Sequence, residues 1–458
     1  MSLGQSRPAR AASTTSVSRN SHVLRIPVPE NFDLGDAVSS YGFFMLAPNR
    51  WVKADPEMLG SQAAFERPLR LPDDTAVPVR ITQAASGAAS ELSVAVEADT
   101  LSASDQEHIC SQVVRMLSLS PGDIEVVSAL QAMHPEAKAN NFGHMFRSPT
   151  IWEDMVKSIT LCNCGWGRTI SMNAALCMEF GGGAFPTPAQ VAAAGVEALQ
   201  SRCGVGYRAK SIHGLARQVL DGTIESLGLE EPDLDAAVLY KKLLPLSGMG
   251  PFTAANVLQL LGHYERIAAD TETMRHLKQR HKISGLSPKT LQEAAQKVYA
   301  PYAPYQFLVY WYELRQGFED LFGPLPEMDP SDYAKATGHI IRAAAAAAAA
   351  GAAAAEGPPR AELAARMADQ SVSLIAASAV MDRPIDEATV NGAKKVPSSA
   401  KRKERANGQS SDGKVILVKE SARVVAIGGE NDGGIVLAPT TPAKEFAGVR
   451  TRSRARTA

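Results

Sequence analysis

Cysteine is scarce. The chain has five among 458 residues, at Cys110, Cys162, Cys164, Cys177 and Cys203. No two pairs stand at zinc-ligand spacing, the count is odd and no secretory apolar segment opens the chain. This argues against a disulfide framework and for a reducing compartment. Net charge is also lacking: the formal value is -1 at pH 7. Nothing global draws the protein to a polyanion, so nucleic-acid binding would have to come from local charge. Long hydrophobic runs are missing as well. No stretch approaches the roughly 20 apolar residues of a membrane span, and the alanine run at 343–350 reads as helix or low complexity. No membrane partner is expected.

What the chain does have is length for more than one ordinary domain and enough apolar residues, 45% hydrophobic, for a real core. Residues 1–21 are Ser-, Arg- and Thr-rich and free of acids. They read as a disordered tail, with a mitochondrial or plastid transit peptide as the alternative. Residues 22–145 carry strand-like runs, HVLRIPV, GFFMLAP, VPVRITQ and LSVAVEA, between turn residues. A helix is expected over Ser104–Leu117. This segment reads as an α+β domain with an antiparallel sheet. Residues 146–327 are mostly helical. Ser148-Pro149 signals a helix entry, a second helix is expected over Thr169–Phe180, and an aromatic helix, YAPYQFLVYWYELRQ, closes the segment. Residues 328–458 lose this patterning. One isolated helix is expected within 339–381 and disorder beyond it. Lys394-Lys395 and Lys401-Arg402-Lys403 resemble a two-part nuclear import signal, which places the protein in the nucleus; a basic solvated linker would have the same composition. VILV at 415–418 is a docking-strand candidate.

One stretch organises the rest, LLPLSGMGPFTAANVLQLLGHYERIAAD, from Leu243 to Asp270. A helix over Leu234–Leu244 is broken by Pro245. Gly248-Met249-Gly250 makes a tight hairpin that needs positive φ or close backbone approach. Pro251 suits a first helical position, and Gly262 suits the helix end. Backbone N–H groups of Gly248 to Phe252, at the positive end of a helix dipole, would form a phosphate site. Thr253 adds a hydroxyl. Asp270 opens a further helix, where aspartate is a favoured cap.

LSGMGPFTAANVL followed by AADTETMRHL resembles the hairpin and downstream aspartate of the HhH-GPD DNA glycosylases. FPTPAQVAAAG and GVGYRAKSI extend the resemblance over about 180 residues. FFMLAPNRW and VEADTLSASDQEHICSQVVRMLSL carry it into the N-terminal domain, toward the 8-oxoguanine and 3-methyladenine branches. The resemblance implies an N-terminal sheet domain packed on an all-helical HhH-GPD core. It implies a DNA N-glycosylase that flips a damaged purine out of duplex DNA, with 8-oxoguanine first and an alkylated purine second. The partner is double-stranded DNA bearing a damaged base. The protein is expected to be a monomer, without cofactor or metal. A non-catalytic DNA-binding scaffold that kept the hairpin is the rival reading.

By the same resemblance, Asp270 stabilises the cationic sugar formed as the C1′–N bond breaks and orients water. Bifunctional members carry a lysine nucleophile where Phe252 stands, and the alkylation-repair branch carries an aromatic. Phe252 therefore implies a water-using, monofunctional enzyme. Asn163 and Tyr207 would fill the hole left by a flipped base, while Arg168 and Arg208 would read the orphaned partner. Taken singly, the arginines read as a solvated face and Tyr207 as a cap on the core; taken with the hairpin, the DNA-contacting roles are preferred. Tyr305, Tyr310 and Trp311 lie on the last helix, with Tyr310 the first choice for the base pocket and core packing the alternative. Glu272 stands where the 8-oxoguanine branch has a phosphate-contacting histidine, so it would repel a phosphate. The iron–sulphur branch needs four cysteines after the aspartate helix, and none follows Cys203.

Overall fold

The computed structural model describes residues 20–83, 91–231 and 234–338, with positions 340 and 343. Most of the N-terminal tail, the helix expected within 339–381, the basic clusters near 400 and VILV lie outside the described residues. The described residues from 20 to 340 fall in one compact unit.

The N-terminal part is a five-stranded sheet of β1 (Ser21–Pro27), β2 (Arg50–Val52), β3 (Ala64–Arg70), β4 (Ala76–Gln83) and β5 (Glu91–Glu97). Its order is β1-β5-β4-β3-β2, antiparallel at every pairing. Alternate residues of β4 and β5, including Val79, Ile81, Leu92, Val94 and Val96, are buried, as expected of strands with one covered face. A short helix, α1 (Leu34–Ser39), lies between β1 and β2. GFFMLAP is not the expected strand: Gly42–Met45 forms a 3-10 turn with Phe43 and Phe44 both fully buried. An apolar run this short has no period that separates a strand from a buried turn. Strand β3 was hidden in the sequence by its polar residues. Arg67 in its middle is buried and paired to Glu153 at 2.8 Å, so a charged residue occupies an inward position.

Helices α2 (Ala103–Met116), α3 (Pro121–Met133) and α4 (Pro135–Ala139) follow. Ser102 caps α2 in a reciprocal capping box with Asp105. The helical part comprises α5 (Ile151–Leu161), α6 (Trp166–Phe180), α7 (Pro188–Cys203), α8 (Arg208–Leu220), α9 (Ala236–Leu243), α10 (Pro251–Leu260), α11 (Thr271–Gln279), α12 (Leu291–Tyr299) and α13 (Gln306–Phe322). The entry to α5 falls later than Ser148-Pro149 suggested, because the Thr150 side chain accepts from Glu153 N and is the cap.

Two apolar cores result. One joins the sheet, α2 to α4 and the C-terminal helices α11 to α13, with Phe65, Phe146, Tyr299 and Phe307 buried in it. The other is made by α5 to α10 around Met155, Leu176, Ile212, Leu243 and Val257. At roughly 1.5–3 kcal/mol per fully buried large apolar side chain, each is a substantial body. Between sheet and α5 runs a buried ionic set. Glu153 takes both Arg67 and Lys157, the latter at 2.6 Å. Burial alone would raise the Glu153 carboxyl, but the two cations hold it down at about 2.

Candidate active site

The hairpin joins α9 to α10. Buried Leu246 and Met249 anchor it in the second core. Gly248 has φ +81°, and a Cβ there would lie 2.7 Å from Ile159 Cδ1 and 2.9 Å from Ser211 Cβ. Both backbone conformation and crowding demand glycine. Gly250 differs. It caps α10 at φ −76°, and a Cβ on it would meet nothing within 4 Å. The space over Gly250 and the α10 N-terminus is open. Two expectations change here. Met249 N–H donates to Leu246 O at 3.0 Å, so it does not face outward. Thr253 is buried, and its hydroxyl donates to Gly248 O and Gly250 O, each at 3.0 Å. It ties the hairpin from inside because α10 turns that face into the core.

Asp270 is the N-cap of α11. Its Oδ1 accepts from Glu272 N at 3.0 Å, Thr273 N at 2.9 Å and Thr273 Oγ1 at 3.1 Å. Thr273 Oγ1 also meets Tyr310 Oη at 2.8 Å. Among the described residues Oδ2 makes no hydrogen bond. Burial pushes the Asp270 carboxyl above the usual carboxylate range; the bonds from Thr273 oppose the rise and the neighbouring Glu272 charge adds to it.

The carboxylate stands in the wall of a cavity of about 310 Å³ along the seam between the two cores, near the lower end of the ~300–1,000 Å³ range of ligand pockets. Tyr41, Phe43, Phe307, Tyr310 and Trp311 line it from the first core, and Trp166, Phe252 and Asn256 from the side of α6 and α10. Phe252 and Tyr310 are therefore brought together with Asp270. The rings of Phe307 and Trp311 stack nearly parallel, 8° apart, and Tyr41 leans on Trp311 at 4.8 Å. Tyr41 Oη donates to Asn256 Oδ1 at 2.7 Å, and Asn256 Nδ2 donates to Ser158 Oγ at 2.9 Å. Burial raises the Tyr41 phenol well above its ordinary value, so it stays a donor. Glu272, also on the wall, is paired with Arg275 Nε at 2.8 Å, which weakens the repulsion its sequence position implied.

The second constellation lies where α5 gives way to α6 and α7 to α8. Asn163 has φ +49°, a conformation asparagine tolerates. Its Nδ2 donates to Tyr207 Oη at 3.2 Å, and the Tyr207 side is exposed. Arg168 Nη2 reaches Gly204 O at 3.5 Å. All three are exposed, and Arg168 contacts the loop that carries Tyr207. Arg208 lies beneath this surface rather than on it. It is 3% exposed, donates to Cys162 O and Val205 O, and lies under the Tyr207 ring at 4.7 Å. It holds the two loops together from below, as α8 directs its first residue inward.

Sequence reasoning missed Tyr41, Phe307 and Asn256. Asn256 carried a faint signal, an amide inside an otherwise apolar helical run, which must find partners when buried. Nothing in the sequence separates Tyr41 and Phe307 from ordinary core aromatics.

Residues 156–301 match the HhH-GPD superfamily of base excision DNA repair proteins. The helix–hairpin–helix and aspartate described above lie inside that span, so this part of the chain is an HhH-GPD domain of the base-excision repair class. No curated protein matches the chain. Among solved structures, the chain is similar to the 3-methyladenine DNA-glycosylase from Archaeoglobus fulgidus, with 18% identity, 63% of this chain and 96% of that one covered, and a TM-score of 0.48. It is similar to a Clostridium acetobutylicum 8-oxoguanine glycosylase/lyase in complex with DNA containing cytosine opposite 8-oxoguanine, with 14% identity, coverages of 62% and 92%, and a TM-score of 0.44. A Schizosaccharomyces pombe 3-methyladenine DNA glycosylase in complex with abasic DNA shares 15% identity over 44% of this chain and 94% of that one, with a TM-score of 0.32. These scores lie below 0.5, and the family assignment rests on the sequence match.

Proposed function

We propose that the protein is a DNA N-glycosylase that binds duplex DNA, takes a damaged purine into the seam cavity and hydrolyses its N-glycosidic bond. The observation that carries the reading is Asp270, a carboxylate with one oxygen fixed by three donors and the other uncommitted, in the wall of an aromatic cavity next to Phe252. A negative charge held in a partly buried wall stabilises a developing sugar cation better than one in water. The uncommitted oxygen suits a water nucleophile. Phe252 offers no amine, so the reaction goes through water without a Schiff base. The open backbone over Gly250 receives a phosphate of the lesion strand. Asn163 and Tyr207 fill the vacated stack, and Arg168 beside them reads the orphaned base.

The resemblance puts 8-oxoguanine opposite cytosine first. The ring lining of the cavity favours a second lesion, an alkylated purine carrying positive charge, because cations are attracted to aromatic faces. Duplexes bearing each lesion, incubated with the protein and then treated with or without alkali, separate the two. Strand scission only after alkali is expected with at least one of them. Scission without alkali would contradict the water mechanism. No base release from any damaged purine, with duplex binding intact, would leave a non-catalytic repair scaffold. The protein is taken to act as a monomer in the nucleus; mitochondrial or plastid import is the alternative tested by a reporter fused to residues 1–21.

A further inference from the structure

One aromatic ring away from the cavity, four side chains from three helices and a loop converge on a point. They are His276 of α11, His281 just beyond it, Tyr299 at the end of α12 and Glu313 of α13. Tyr299 Oη lies 2.5 Å from Glu313 Oε2. His276 Nε2 lies 2.9 Å from both Glu313 Oε2 and Tyr299 Oη. His281 Nε2 lies 2.8 Å from Glu313 Oε2 and 3.0 Å from Tyr299 Oη. Among the described residues this is the grouping of three or more His, Cys, Asp or Glu side chains with ligand atoms close enough to share a metal ion.

Hydrogen bonding can satisfy these groups in one crowded way: with both rings neutral and protonated at Nε2, Glu313 Oε2 accepts two of the protons and the Tyr299 oxygen takes the third. With the protons at Nδ1, two imidazole lone pairs face a carboxylate. A cation at the centre satisfies that second arrangement. It accepts the two nitrogen lone pairs and the carboxylate oxygen, with the phenol oxygen completing four.

We propose that His276, His281 and Glu313, with Tyr299, form a structural divalent-metal site, and that its ion is Zn²⁺. Two imidazoles, a carboxylate and an oxygen in a four-cornered cage are a borderline N/O set that zinc accepts. Metal–ligand bonds of about 2.0–2.1 Å imply corners roughly 3.3–3.4 Å apart, so each ligand atom retreats by a few tenths of an ångström on binding. Glu313 Oε1 is held by Arg280 Nε at 3.2 Å, the outer contact that orients a monodentate carboxylate. His276 and Tyr299 are buried, while His281 and Glu313 keep partial access for the ion. The site pins α11 to α12 and α13. Tyr310 packs on both His276 and Tyr299 and reaches Thr273, which bonds Asp270. The metal thus positions the helix that presents the carboxylate and touches no reacting atom.

The test uses the full-length protein, stripped with a chelator and dialysed, then titrated with Co²⁺ and separately with Zn²⁺. One equivalent of Zn²⁺ should remain after gel filtration by elemental analysis. Co²⁺ should give the visible absorption of a four-coordinate N/O site, and Zn²⁺ should raise the melting temperature. His281→Ala and Glu313→Gln should each weaken binding at least about tenfold and abolish the thermal shift, whereas His22→Ala on the first strand should keep both. Circular dichroism of the metal-free variants verifies folding, with His281→Gln as the substitute should His281→Ala not fold. No retained Zn²⁺ in the wild type, or unchanged retention in both ligand variants, overturns the proposal.

Discussion

Replacing Asp270 by asparagine isolates the charge. Asparagine retains an oxygen at the Oδ1 position to accept from Glu272 N and Thr273 N, and it caps helices about as well as aspartate. The change therefore removes one negative charge and little else. Loss of a single pre-placed electrostatic stabiliser typically lowers turnover about 10²–10³-fold, and a reduction at least that large is expected for base release under single-turnover conditions on a lesion duplex. Stability should move the other way. Burial raises this carboxyl in the folded protein, so its ionised form costs folding free energy once pH exceeds the raised value, and no cost exists below the unfolded value, where the group is protonated in both states. Asp270→Asn should consequently match or exceed the wild type in stability at neutral pH, with the gap closing as pH falls. Asp270→Ala should lose activity equally but also lose the cap, at about 1 kcal/mol. Urea titration read by circular dichroism gives the stabilities. Asparagine activity within threefold of wild type, or destabilisation equal to that of alanine, would refute the assignment of Asp270 as an electrostatic group.

Other outcomes follow from the same geometry. Base release should rise with pH along an acidic limb centred above the ordinary aspartate value, since ionised Asp270 is the active form and burial raises its carboxyl; a limb at or below 3.8 would contradict this. Gly248→Ala should destabilise the fold by roughly 1–3 kcal/mol through overpacking and positive φ, whereas Gly250→Ala should leave the melting temperature near wild type and weaken duplex binding, measured by fluorescence anisotropy. Phe252→Lys should place an amine in the cavity wall and yield a borohydride-trapped protein–DNA adduct that the wild type does not form. Glu153→Gln should cost about 3–5 kcal/mol by leaving Arg67 and Lys157 buried with a neutral partner. In the wild type, the share of stability due to Glu153 is present above its unfolded value of 4.5 and lost as pH falls toward about 2.

The hairpin and the capping aspartate were legible because both are local. Pro245, Gly248, Pro251 and Asp270 act on their immediate backbone, and the helices began and ended within a few residues of where these signals put them. The cavity was not legible in that way. Tyr41 and Asn256 stand 215 positions apart and meet only because the two cores abut. Arg67 hid a strand, since its pairing with Glu153 across 86 positions is what permits a charge to face inward. Arg208 shows what residue type alone leaves open. Its residue type suited recognition of a base, but helix direction at the start of α8 turned it toward Cys162 O instead.

The family match ends at residue 301, yet Phe307, Tyr310, Trp311 and the stretch 336–338 all border the seam cavity. Trp166 Nε1 even donates to Tyr333 O, so a ring inside the matched span depends on backbone well outside it. Anyone trimming the gene to the recognised module would obtain a vessel with one side cut away, and would mistake a truncated binding chamber for an inert protein.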